Sequence, residues 1–342
     1  MNEGRLMGGV RLRQGRLDGL MVPRSNRQSG PAAGVIAGSR CPSRHLPRRF
    51  EEKTLFRLTT LLTILSLAPA LALAQVSTPL DGRLKKVRDT KSIAVAYRVD
   101  AAPFSFEDSD KKPNGYTVEL CRSVITAIER QLGGGPLNVT WVPVTTQTRL
   151  SAVAGGQADM ECGATTVTLS RMKEVDFSSL IFADGTGLLI KKSTAGNSLL
   201  DLANKKIGVI GGTSNERALN DALKAKLVTA TVVPLKTRDE GLAQLEAGTI
   251  DAFASDRLLL IALAEKAKDP GSLALMADAL SFEPYAIVVP RGDWAMRLAV
   301  NTALAQIYKS STLAELYARW FAALGRPSPE LQVLFGLGSL PE

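Results

Sequence analysis

Residues 141–178 read WVPVTTQTRLSAVAGGQADMECGATTVTLSRMKEVDFS. The order of residue types predicts strand, helix, strand, and then a polar loop that opens another helix. Val139–Val144 is a short β-branched run, which favours a strand. Arg149, Leu150, Val153 and Ala154 fall at helical spacing, and Gly155-Gly156 ends that helix. Ala158–Cys162 reads as a second short strand, and Gly163-Ala164-Thr165-Thr166 leads out of it. Arg149 and Arg171 stand at helix starts or loop ends, with Thr146, Thr165, Thr166 and Thr168 beside them. A guanidinium is a planar donor fork, and a helix N-terminus adds free backbone N–H groups, so such loops suit a carboxylate. Taken singly, each of these arginines reads equally well as a solvated surface charge.

Working outward, Ser92–Tyr97 is the first strand, and Arg98 follows at its C-terminal end. Gly115-Tyr116 starts a helix with Thr117 as its cap and Val118, Cys121, Val124, Ile125 and Ile128 on its apolar face. Beyond the quoted segment, strands are expected at Leu188–Ile190, Lys206–Ile210, Val232–Leu235, Ile250–Ala254 and Ala286–Val289. Helices are expected at Asn215–Ala225 and Arg238–Ala247, and from Ser255-Asp256-Arg257 through Lys266. Two more, Trp294–Ser310 and Leu313–Leu324, are amphipathic. Gly211-Gly212-Thr213-Ser214 is a Gly-rich strand-end turn. It lacks the Gly-Lys-Thr/Ser of a P-loop and the later glycines of a dinucleotide fingerprint.

The quoted segment has a partner. Val142-Pro143-Val144 leads through Thr146 and Leu150 to Gly156-Gln157-Ala158-Asp159. Val233-Pro234-Leu235 leads through Thr237 and Leu242 to Gly248-Thr249-Ile250-Asp251. Each copy is preceded by a strand-plus-helix unit, which predicts two similar α/β lobes, each a mostly parallel sheet flanked by helices. Ligands of such sheets bind beyond the C-terminal strand edges. Arg98, Thr146, Arg149, Thr165, Thr166, Arg171, Thr213, Arg238 and Asp256 all map to those loops or to the helix starts after them.

The chain has 342 residues and a formal charge of +9, a length that suits about two domains. Residues 1–74 hold 12 Lys/Arg and 4 Asp/Glu, which leaves 30 and 29 for the rest. The basic balance is therefore an N-terminal property, and nucleic acid is excluded as a partner. Lys53 and Arg57 precede the apolar run Leu58–Ala74, which ends in Ala72-Leu73-Ala74. A basic region, an apolar core and an A-x-A site predict a secretory signal over 53–74, cleaved near Ala74. The competing membrane anchor is disfavoured because the run contains Pro69 and falls short of the roughly 20 residues needed to span. Residues 1–52 are Arg-, Gly- and Ser-rich without periodicity, and read as a disordered extension or a misassigned start.

His45, the single histidine, would leave with the leader. Histidine acid–base catalysis and histidine metal sites are thereby excluded from the processed chain. Cys121 and Cys162 remain in it. An exported chain could oxidise them, but two buried free thiols are the expected state.

Several pieces together resemble a known family. They are Pro103-Phe104-Ser105, Gly115-Tyr116-Thr117-Val118-Glu119-Leu120, Thr146-Gln147-Thr148-Arg149 and Glu161-Cys162-Gly163-Ala164-Thr165-Thr166 with Arg171. Val175-Asp176-Phe177-Ser178, Gly212-Thr213, Ser255-Asp256 and Glu283-Pro284-Tyr285 complete the set. With these the chain resembles the solute-binding proteins of bacterial polar amino-acid ABC importers (solute-binding protein family 3), and within them the glutamate/aspartate-binding branch. The likeness covers about residues 80–324.

That resemblance implies a two-lobed periplasmic-binding-protein fold of type II with two crossover hinge strands, near Gly185–Lys191 and Pro284–Val289. The implied lobes are 80–187 with 286–324, and 188–285, followed by a surface tail at 325–342. It also implies roles. Arg171, Thr166 and Thr213 would hold the ligand α-carboxylate, and Asp256 the α-ammonium. Arg98, Arg149 and Thr146 would hold a side-chain carboxylate. Ala164 stands where the branch often has Ser, and Arg238 where it often has His, so the preference between glutamate, aspartate and other polar amino acids stays open. The implied protein is a periplasmic monomer that works with an ABC permease of the inner membrane, without cofactor, metal or chemistry of its own. The alternative on the same fold is a secreted dehydratase of prephenate- or arogenate-like acids, with Glu161 and Glu174 as its general-acid candidates.

Overall fold

Among the described residues, two five-stranded sheets and one small three-stranded sheet carry the fold. The computed structural model describes residues 80–194 and 196–341. The expected leader and the extension before it lie outside the described residues. In chain order, α1 is Gly82–Thr90, β1 Ser92–Arg98, β2 Asp100–Ala101, β3 Ser105–Glu107, β4 Pro113–Asn114, α2 Tyr116–Gln131 and β5 Asn138–Val144. Next come α3 Arg149–Ala154, β6 Met160–Cys162, β7 Val175–Asp184 and β8 Thr186–Lys191. They are followed by β9 Lys206–Ile210, α4 Ser214–Ala225, β10 Thr231–Leu235, α5 Arg238–Ala247, β11 Ala252–Asp256, α6 Arg257–Ala264 and β12 Leu273–Leu275. The chain ends with β13 Glu283–Pro290, α7 Trp294–Tyr308, α8 Ser311–Phe321 and α9 Pro329–Gly338.

The first lobe's sheet has the order β5-β1-β6-β13-β7, and the second's has β10-β9-β11-β8-β12. β5, β1 and β6 pair in parallel, while β13 is antiparallel to both β6 and β7. In the second sheet β10, β9 and β11 pair in parallel, while β8 is antiparallel to both β11 and β12. Four strands of each sheet thus point one way, and the reversed strand is fourth in order. In each case it is the strand that arrives from the other lobe. The remaining strands end at the cleft, whereas an arriving strand has to begin there. Gly185 is the single residue between β7 and β8.

The sequence repeat occupies equivalent places. Pro143 on β5 lies opposite Tyr97, and Pro234 on β10 lies opposite Val209. Both strands are sheet edges, where the N–H that proline lacks is not needed by a second neighbour. The repeat's acid ties down the second strand of the sheet in both lobes. Asp159 Oδ2 accepts the Ala94 N–H at 2.8 Å, and Asp251 Oδ2 accepts the Lys206 N–H at 2.8 Å.

The helices begin where side chains satisfy free N–H groups. Thr213 accepts from the Glu216 N–H, Thr237 from that of Glu240, and Asp293 from that of Met296. Helix α2 departs from its expected cap. Gly115 is the cap residue, and Thr117 is buried with its hydroxyl unpartnered. Gly115 has φ +125°, and a Cβ there would lie 2.3 Å from the Phe104 carbonyl oxygen. The close approach of this backbone to Phe104 is what demands glycine. Phe104 in turn centres an aromatic cluster with Phe182, Tyr285 and Phe321, at ring-centroid distances of 4.9, 5.2 and 5.6 Å.

Four further expectations are corrected. Cys121 and Cys162 are not free thiols but a disulfide that joins α2 to β6, with Cα atoms 6.4 Å apart. A helix and a strand packed face to face bring the two sulfurs together, a proximity that 41 residues of separation conceal. The segment 325–342 is not a loose surface tail. Pro329 opens α9, Ser328 caps it, and Leu331, Leu334 and Phe335 join the first lobe's core. Ser255 and Asp256 end a strand rather than begin a helix, because they pair with Gly187 and Thr186 of β8. The helix expected after Thr166 is reduced to a single 3-10 turn at Arg171–Lys173.

Candidate functional site

The sequence-predicted residues stand at C-terminal strand ends or in the loops that follow. Arg98 closes β1, Thr146 follows β5, and Arg149 opens α3. Ala164 and Thr166 follow β6, and Arg171 stands in the 3-10 turn before β7. From the second lobe, Thr213 caps α4, Arg238 opens α5 and Asp256 ends β11. Sheet direction alone therefore gathers nine loop residues toward one cleft. Packing then divides eight of them into two groups and sets Ala164 apart against the first lobe's core.

The inner group is Arg98, Thr146, Arg149, Arg238 and Asp256. Arg98 Nη2 donates to Thr146 Oγ1 at 2.6 Å and to Asp100 Oδ1 at 2.6 Å. Arg149 Nε donates to Thr165 Oγ1 at 2.9 Å, and its Nη1 donates to the Thr146 carbonyl. Arg238 Nη1 donates to Asp100 Oδ2 at 3.1 Å, its Nη2 lies 3.9 Å from Asp256 Oδ2, and its Nε is buried without a partner. Exposure is 1% for Arg98 and 5% for Arg149 and Arg238. Three buried guanidinium groups repel one another. Burial, then Arg98 and Arg171, push the Arg149 pKa down to about 9, so Arg149 stays cationic at neutral pH. Glu161 is fully buried beside them, and neither of its carboxylate oxygens has a partner. Burial raises its pKa against the pull of Arg149 and Arg98. Gly163 follows from this crowding, because a Cβ there would lie 2.1 Å from Glu161 Oε1 and 2.9 Å from Arg98 Cγ.

In the outer group, Arg171 and Thr213 border a cavity of about 290 Å³, and Thr166 is tied to its lining through Arg171, Ser214 and Glu283. Thr168, Ser170 and Arg171 line it from the first lobe, Thr213 and Ser214 from the second, and Glu283 from the crossover. Arg171 Nη1 donates to the Thr166 carbonyl at 2.7 Å. The Thr166 hydroxyl donates to Glu283 Oε2 at 2.7 Å and accepts from Ser214 Oγ at 3.2 Å. The Thr213 hydroxyl already works as a helix cap. It accepts from the Glu216 N–H at 3.1 Å and donates to the Ile210 carbonyl at 2.7 Å. Ala164 is half-buried and packs against the first lobe's core, adding no polar group. The three arginines of the inner group do not line this cavity.

Three residues missed by the site reading belong here. Asp100 joins Arg98 to Arg238. It lies two residues after Arg98, and the period of extended chain puts such residues on one side, a signal that was available. Glu283 is 1% exposed and accepts from the hydroxyls of Thr166, Thr186 and Ser281. It is the acid of the Glu-Pro-Tyr piece, and local sequence has no reason to bury it. Ser214 has no local signal, since only the meeting of the lobes brings it to Thr166. The arrangement suits a small molecule with at least one carboxylate and a cationic group. Arginines offer forked donors, and buried Asp256 and Glu283 offer acceptors.

Known proteins share this architecture. The L-glutamate/L-aspartate-binding protein of Pseudomonas aeruginosa is 35% identical over 263 residues, 77% of this chain and 87% of the relative. A glutamate/aspartate import solute-binding protein of Salmonella typhimurium is 30% identical over 266 residues, 78% of this chain and 88% of the relative. Among solved structures, the ancestral amino acid-binding protein AncCDT-1, a precursor of cyclohexadienyl dehydratase, matches with a TM-score of 0.61. It is 27% identical, and the match covers 70% of this chain and all of that one. The family model described as bacterial extracellular solute-binding proteins, family 3, matches residues 93–323, and the chain belongs to that family.

Proposed function

We propose that this chain is the periplasmic binding component of an ABC importer for acidic amino acids, closing two lobes on glutamate or aspartate and delivering it to an inner-membrane permease. The observation that carries this reading is the burial of Arg98, Arg149 and Arg238 in one cleft, with Arg171 close enough to Arg149 to lower its pKa. A glutamate or aspartate zwitterion brings two carboxylates and one ammonium, so it needs several cationic donors and one anionic acceptor. Arg171, with Thr166 and the start of α4 at Thr213, would hold the α-carboxylate, and Asp256 the ammonium. Arg149, Arg98, Arg238 and Thr146 would face the side-chain carboxylate, with Ala164 beside them contributing shape only. Charge-assisted hydrogen bonds contribute about 1.5–3 kcal/mol each. A handful, offset by desolvation and closure, reaches the roughly 8 kcal/mol of micromolar binding. Ligand that bridges the lobes would shift an open–closed equilibrium toward the form that docks on the permease. The names of the relatives from Pseudomonas aeruginosa and Salmonella typhimurium support the same ligand class. The protein would act as a monomer and catalyse nothing.

Calorimetric titration of the mature chain with glutamate, aspartate, glutamine, histidine and arginine tests this reading. Heat from an acidic amino acid is expected, and no heat from either one overturns the assignment. Arg171→Ala should abolish binding of every amino acid, because it removes the common anchor. Arg149→Ala should weaken acidic ligands far more than glutamine, and equal losses would refute that division. Glu161, buried and with its pKa raised, is the residue that would favour a dehydratase. Turnover of prephenate or arogenate by the purified protein would replace the transport reading.

A further inference from the structure

We propose that Asp100 sets the charge preference of the cleft: as a built-in counter-ion shared by Arg98 and Arg238, it makes the site tolerate an uncharged amide side chain beside a carboxylate. The proposal rests on the reading above that an amino acid occupies the cleft. Each oxygen of this one carboxylate serves an arginine of a different lobe. Oδ1 accepts from Arg98 Nε at 3.1 Å and from its Nη2 at 2.6 Å, and Oδ2 accepts from Arg238 Nη1 at 3.1 Å. Both arginines are nearly inaccessible, whereas the Asp100 side chain is 23% exposed. Burial opposes ionisation of Asp100, but Arg98 and Arg238 outweigh it, and its pKa lies below the ordinary carboxylate value.

The charge count follows from those contacts. Arg98 and Arg238 face the carboxylate of Asp100 directly and Arg238 also lies near that of Asp256, while burial holds Glu161 toward its neutral form. With Asp100 present, two of the three inner arginines share an anion before any ligand arrives. Arg149, which donates to a hydroxyl and a carbonyl, has no carboxylate in hydrogen-bond contact. A ligand's second carboxylate is thus offered one arginine without an anionic partner. Without the Asp100 charge, Arg98 would join Arg149 in having no anionic partner and Arg238 would keep only Asp256 at 3.9 Å, so a neutral side chain would leave buried charge uncompensated. Uncompensated buried charge is strongly unfavourable. Asp100 also ties β2 of the first lobe to α5 of the second, so its loss should weaken closure for every ligand alike. A ratio of affinities for two ligands cancels that common loss.

The test is titration calorimetry of wild type, Asp100→Asn and Asp100→Asn/Arg238→Gln with L-glutamate and L-glutamine. Asp100→Asn should raise the ratio of glutamate to glutamine affinity by about tenfold or more. The double variant should return it to within about threefold of wild type, because one of the two freed arginines is gone. A ratio that stays within about twofold of wild type in Asp100→Asn, or falls, overturns the proposal while leaving the acidic-ligand reading intact. If wild type binds glutamine alone, the acidic-ligand reading fails, and glutamate binding gained by Asp100→Asn would still support the role of Asp100. Wild type that binds neither ligand overturns both.

Discussion

Asp184 ends β7 one residue before the chain crosses between lobes. Its carboxylate accepts the N–H groups of Gly185 at 2.8 Å and Leu258 at 3.0 Å, yet burial and nearby Asp256 push its pKa up to about 7. The folded protein therefore holds a proton that the unfolded chain releases above about pH 4. Stability from the protonated group is complete below that unfolded value and is lost as pH rises through about 7. Asp184→Asn keeps an acceptor but cannot ionise. Between about pH 5 and pH 8 the wild-type Tm should fall more steeply than that of Asp184→Asn, and at about pH 8 the variant should equal or exceed wild type. Scanning calorimetry at several pH values checks this, and parallel profiles would refute it. At this scale the sequence is legible where chemistry is local. Arg149 and Arg238 could be placed because each opens a helix after a strand. Asp184, Glu283 and Ser214 could not, because their burial or partners come from another lobe or from the crossover.

Elements were legible wherever a hydrophobic period was long. The five residues Lys206–Ile210 and the ten of Arg238–Ala247 stand where periodicity puts them. β11 is displaced and β13 is longer than expected because pairing with β8 and β7 decides their ends. The disulfide is also an element-scale device, since it fastens α2 to the strand that leads into Thr165 and Thr166. It closes a loop of 41 residues, for which chain entropy gives about 4 kcal/mol of stability. Cys121→Ala/Cys162→Ala should lose stability of that order in urea unfolding, and a reducing agent should lower the wild-type Tm but not that of the variant. A variant as stable as wild type would mean the bond adds nothing beyond the packing of α2.

For the whole molecule, binding in the cleft joins two sheets that otherwise meet through the crossovers and a few side-chain contacts. A ligand that bridges them stabilises the folded state by mass action, about 2.7 kcal/mol at a hundred times Kd. For a domain of this size that corresponds to a rise of about 5–10 °C in Tm. Glutamate at that excess should produce such a rise in wild type, and Arg171→Ala should show none at the same concentration. A comparable rise in Arg171→Ala would place the ligand elsewhere.

The Trp141–Ser178 segment and its echo around Pro234 determined by themselves that the chain has two related α/β lobes. Strand and helix periodicity is a local property, and loops after parallel strands must collect at one edge. The same logic marked Arg98, Arg149, Arg171, Arg238 and Asp256 without any knowledge of contacts. Only the tertiary structure decided which of them meet. It placed Asp100 between Arg98 and Arg238, buried Glu161 without partners and joined Cys121 to Cys162. Those outcomes depend on distances between segments tens to more than a hundred residues apart, and on the low dielectric that burial creates around charges. Neither quantity exists until the lobes have folded and met.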